Sequence, residues 1–182
     1  WLSDKGFSIA VAGRLLPATS AAASAPASPP ALGPSASTTG IVILPESLLR
    51  PISGLEYSDS GIDDQQRIDA FAEAIGDSSV VAGILFRELT YQGDPVGGVE
   101  IIRFVQAPPQ EVAGTFMEQL LDGFAGTDGQ AAQVPGQPAW QVDNPERGTG
   151  AVGWLDGTDV YIVWSSSADD ASTIAEEFLA GS

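Results

Sequence analysis

The chain reads as an α+β domain: an antiparallel sheet of about five strands with three helices, arranged as two strand-turn-strand-helix units. Three observations predict this class. Apolar residues recur at helical spacing in three separate segments. Two pairs of β-branched and aromatic runs are joined by Gly, Asp and Pro turns. The 142 residues from Ile41 to Ser182 suit one core, and a hydrophobic content of 43% marks the folded part as globular.

Residues 1–16 hold a short apolar patch interrupted by Asp4, Lys5 and Arg14. They read as the remnant of an upstream anchor or signal-like region. Residues 17–40, PATSAAASAPASPPALGPSASTTG, are almost all Ala, Ser, Pro, Thr or Gly and carry no charge. Such a stretch cannot bury enough apolar surface to offset the entropy lost on ordering, so it is expected to be a disordered, semi-extended tether. From Ile41 the composition changes to that of a folded domain. Ile41–Leu44 is apolar and followed by Pro45, which suits an edge strand or an extended lead-in. Residues 51–64 read as loop.

The first helix is expected over Asp63–Ile75, with Ile68, Phe71, Ala72 and Ile75 on one face. Ala82–Gln92 and Val96–Gln106 form a hairpin about Gly93-Asp94-Pro95. The second helix runs over Pro109–Phe124, striped by Val112, Phe116, Leu120 and Phe124. Ala139–Val142 is a further strand. Ala151–Leu155 and Val160–Ser165 flank Asp156-Gly-Thr-Asp159, a strong hairpin turn. The third helix covers Ala168–Leu179, capped by Ser167, with Asp169 and Asp170 in its first turn.

Hairpin then helix thus occurs twice, which predicts one sheet with helices on one face. Yet Ile84-Leu-Phe86, Ile101-Ile102 and Val160-Tyr-Ile-Val-Trp164 are apolar on both sides, whereas a half-wet sheet alternates. The second face therefore needs a cover: the segment Ile41–Asp59, another subunit or an apolar ligand. Self-cover is the commonest solution.

The formal charge is −17, from 24 acids and seven bases. An exterior this acidic repels nucleic-acid phosphates and anionic lipid head groups. With no Cys and no His, the chain lacks disulfides, thiolate sites, the usual zinc ligand and the usual base of serine and cysteine hydrolases. No run approaches the ~20 apolar residues of a membrane span.

Gly148-Thr-Gly-Ala-Val-Gly153 fits G-x-G-x-x-G, but a hairpin rather than a helix follows it, so it is read as a glycine-rich lead-in and no nucleotide is expected. Asp59, Asp63 and Asp64 lack calcium-loop spacing, with Ala70 where a bidentate Glu belongs. They are assigned to capping and solvation, as are the pairs Asp156/Asp159 and Asp169/Asp170. Arg87 and Arg103 are expected to pair with local carboxylates such as Glu88 or Glu100. Trp154, Trp164, Tyr161, Trp140 and Tyr91 default to core packing, and any that is exposed becomes an interface candidate.

No catalytic residue, metal ligand or cofactor is expected. The tether before an acidic, Cys-free domain is similar in style to extracytoplasmic domains of bacterial membrane proteins and lipoproteins, a compositional likeness that assigns no site. The functional expectation is a non-enzymatic extracytoplasmic binding or sensor domain, tethered to a membrane anchor, with a protein partner or an apolar small ligand. A carrier of an apolar ligand or lipid and a carboxylate-dependent hydrolase are the alternatives.

Overall fold

A computed structural model describes residues 40–59, 64–75, 78–109, 113–126 and 128–181. The remnant and all but the last residue of the tether lie outside them, as do Asp63 and Val112. The described chain forms β1 (Val42–Ile43), β2 (Glu56–Ser58), α1 (Asp64–Ile75), β3 (Val81–Tyr91), β4 (Asp94–Phe104), α2 (Ala113–Ala125), β5 (Gln130–Val134), β6 (Gln137–Asn144), β7 (Thr149–Asp156), β8 (Asp159–Ser165) and α3 (Ala168–Ala180). The class is α+β with three helices, but the sheet has eight strands rather than five. Its order is β1-β3-β4-β8-β7-β6-β5, with β2 also paired to β3. All pairs are antiparallel except β1 with β3.

Of the three additional strands, β1 falls within Ile41–Leu44, which suits either an edge strand or a lead-in, and the other two have the weakest signals. β2 lies inside the stretch expected to be loop. β5 reads Gln-Ala-Ala-Gln-Val and lacks the β-branched enrichment that marks a strand. Both owe their extended form to a neighbour. The first hairpin turns at Gln92-Gly93, with φ of 54° and 90°, so Asp94 and Pro95 belong to β4 rather than to the turn.

The helices do not share a face. Successive side chains on a strand point to opposite sides, and β8 shows the division plainly. Val160 and Ile162 join Ile84, Ile102, Val142 and Ala151 in a core closed by Ile68 of α1 and by Phe116, Met117, Leu120 and Leu121 of α2. Tyr161 and Val163 join Leu85, Leu89, Val99, Ile101, Val152 and Trp154 in a second core, closed by Ala171, Ile174, Ala175 and Phe178 of α3. Leu44 and Ile52 are buried in this second core, with Leu48, Leu49, Leu55 and Tyr57 packed against it. A sheet apolar on both sides requires cover on both. Here the cover is α3 together with the 44–57 segment.

The two hairpin–helix units therefore send their helices to opposite faces. α3 starts tightly against β7. Ser167 Oγ accepts from Asp170 N at 3.1 Å, and Ala168 N donates to Asp143 Oδ1 at 3.0 Å. Gly150 lies beneath this turn, where a Cβ would collide with the backbone of Ser167 and Ala168. In the G-x-G-x-x-G stretch Gly150 and Gly153 thus serve close packing, against the start of α3 and against Met117, while Gly148, with φ of 59°, serves the turn before β7.

Candidate functional site

β4 is an inner strand, between β3 and β8, and it carries a carboxylate into an apolar face. Glu100 stands opposite Phe86 on β3 and Ile162 on β8. One row along, Gly98 stands between Glu88 and Trp164. The missing side chain at Gly98 makes room for the indole, since a Cβ there would lie 2.6 Å from it. Phe86 and Trp164 stack with centroids 6.2 Å apart. Arg67 of α1 lays its guanidinium 3.6 Å over the Phe86 ring.

The result is a nest of one carboxylic acid, one guanidinium and two aromatic rings at the margin of the α1/α2-side core. Glu100 is half-buried, and desolvation pushes its carboxyl up to about 7, with Arg67 pulling it partly back. Burial likewise lowers Arg67, opposed by Glu100, Asp64 and Glu88. The Trp164 Nε1–H is buried with no hydrogen-bond acceptor among the described residues. A carboxyl raised toward neutrality and acted on by a guanidinium, with an unused indole donor one row along the same face, can exchange a proton or hold a small polar group.

A second cluster lies on the α3 side. Trp154 and Tyr161 stack at 5.3 Å and 3°, both tilt against Phe178, and Arg50 stands 5.5 Å over the Phe178 ring. Trp154 and Tyr161 are buried in the core, and Trp140 and Trp164 are partly buried against the other core. Of the five aromatic interface candidates, Tyr91 alone is exposed, at 51%, on the β3–β4 hairpin. Val42, Ile43 and Val105 are exposed apolar residues near the opposite end of β3. The structure does not bring the five aromatics into one patch.

The arginines find carboxylates other than their sequence neighbours. Adjacent strand residues face opposite ways, so Arg87 cannot turn to Glu88, nor Arg103 to Glu100 on the inner row. Arg87 instead fills the gap on the outer edge of β3 between β1 and β2. It contacts Glu46 at 2.7 Å and Asp59 and Asp64 at 3.4 Å, and donates to the Phe86 carbonyl at 2.7 Å. Burial works to lower this guanidinium, but its carboxylate partners outweigh burial and hold it above its ordinary value. Arg103 forms a two-pronged pair with Asp159, at 2.7 Å for each contact, and is raised by it. Asp59, Asp64 and Asp159 are thus engaged by arginine. Among the described residues no group of three or more His, Cys, Asp or Glu is placed to hold a metal ion.

Glu100 is the residue whose role the sequence leaves hidden. Its one signal is a carboxylate inside the apolar run Gly97-Gly-Val-Glu-Ile-Ile102, and only the fold reveals that Arg67 acts on it and that Trp164 lies on the next row. No protein-family model matches the chain, and neither curated proteins nor solved structures give a match. Among the described residues no helix is long and apolar enough to cross a membrane.

Proposed function

We propose that the chain is a non-enzymatic binding or sensor domain that works outside the cytoplasm, held away from a membrane anchor by the 17–40 tether. One observation supports binding at the exterior: the chain's own side chains fill both sides of the sheet. The domain from Ile41 onward has five arginines, no lysine and 23 acids. Four of those arginines are engaged internally, Arg50 and Arg67 on aromatic rings and Arg87 and Arg103 on carboxylates. What remains outward is strongly acidic and favours a cationic partner. The tether's composition supports the location. A tag placed after Ser182 and protease applied to intact cells of the source organism test it. Loss of the tagged domain is expected, and full protection until lysis refutes the location.

Carboxylate-dependent hydrolysis is retained as a second reading on one observation, the neutral-range acid at Glu100 with Glu88 one row away. The carrier reading has the filled packing on both faces against it.

A further inference from the structure

The two edges of the sheet are finished differently. At the β3 side the ladder is broken into two short strands, β1 and β2, and the gap between them is plugged by Arg87 with Glu46, Asp59 and Asp64. Short strands and charge placed on an edge prevent further pairing. At the far side β5 has neither device. It is five residues long, has no proline and no charge, and pairs with β6 without a bulge.

Its free hydrogen-bonding groups follow from the register. Gln133 lies opposite Pro138, which has no N–H, so that pair is not hydrogen-bonded across the ladder. The two-residue turn Pro135-Gly136 agrees, closing on Val134 and Gln137 as a bonded pair. By alternation, Ala131 and Gln133 turn their N–H and C=O groups outward, and both residues are exposed.

The surroundings decide what pairs there. Ala131 and Gln133 project to the α2 side, since Ala131 stands opposite Trp140 of the α2-side core. Glu118 of α2 backs onto Gly129, and Asp122, one turn later, lies on the same side of the helix. Asp128 lies two residues before the start of β5, and all three acids are exposed. Arg147 sits against Gly126, at the end of α2. On the other side, Ala132 and Val134 join the α3-side core. A formal charge of −17 on each chain opposes edge-to-edge pairing between copies.

We infer that β5 is a strand-addition site for an extended segment of another protein that alternates basic and apolar residues. The basic residues lie toward Glu118, Asp122 and Asp128, and the apolar ones extend the row of Ala132 and Val134. This deepens the binding-domain reading by naming the surface and the chemistry of the partner.

The test uses the full chain, isotope-labelled for NMR, with a short acetylated and amidated peptide of alternating arginine and valine. Salt-sensitive binding is expected, with shifts and slowed amide exchange centred on Ala131 and Gln133. The same peptide N-methylated at alternate residues keeps its charge but loses its outward donors, and is expected to bind at least about tenfold more weakly, equivalent to about 1.4 kcal/mol. Ala131→Pro removes an outward N–H while keeping the β6 ladder and is expected to weaken the parent peptide similarly. The methylated peptide tests the same point on the unaltered protein. Equal binding of both peptides, binding that maps to Val42–Ile43 or elsewhere, no binding at low salt, or self-association through β5 overturns the assignment. None of these outcomes depends on the protease result, so site and location fail separately.

Discussion

Glu100→Gln isolates the energetic consequence of a carboxylate under the α1 helix. Burial raises the folded-state value from 4.5 to about 7. The ionised form is therefore penalised in the folded protein and not in the unfolded chain. Stability from this group is fully present below 4.5, declines as pH rises through the interval, and levels off above about 7. At about 1.4 kcal/mol per pH unit, the interval corresponds to about 3 kcal/mol. Gln fits the same space and does not titrate. Urea unfolding of both proteins across and beyond this interval is the assay. The wild-type stability minus that of the variant should fall by about 3 kcal/mol from the acid to the neutral side. The level of that difference reflects the lost attraction to Arg67, but its slope belongs to Glu100 alone. Parallel curves for the two proteins would refute the burial argument.

Three further outcomes follow from the packing. Arg87→Met should cost about 1–3 kcal/mol in chemical denaturation, because the Phe86 carbonyl loses its donor, while Asp59→Asn, at a carboxylate 84% exposed, should change stability by less than about 0.5 kcal/mol. Gly98→Ala should cost about 1–3 kcal/mol and alter tryptophan emission, since the new methyl must displace the Trp164 indole; Gly150→Ala should cost more, because the obstruction there is backbone. Ser167→Ala should lower stability by about 1 kcal/mol through loss of the α3 cap, measured by thermal unfolding.

The elements with strong periodicity were legible in the sequence. α3 and its Ser167 cap, and the two hairpins, are placed within a residue or two. The sense that both sheet faces needed cover came from the same source, the two-sided apolar runs of β4 and β8. Which face each helix takes was not legible, because an amphipathic stripe states that a helix packs but not on which side. β2 and β5 carry too few β-branched residues to declare themselves and are extended only because an edge accepts them. The arginine partners were missed for a related reason. Proximity in sequence places Arg87 and Glu88 together, while strand alternation puts them on opposite faces and long-range folding supplies Glu46 and Asp64. The Glu100 nest depends on α1 arriving over β3 and β4, a contact no local pattern encodes.

The division of the interior into two cores has a consequence for how the domain comes apart. β8 supplies Val160 and Ile162 to one core and Tyr161 and Val163 to the other, so a slip of one residue exchanges its contribution to both at once. The two halves share a wall and should melt as a single cooperative unit. Each also carries its own optical reporter, Trp154 on the α3 side and Trp140 with Trp164 on the α2 side. Single-tryptophan versions of the domain can show directly whether the two sides let go together.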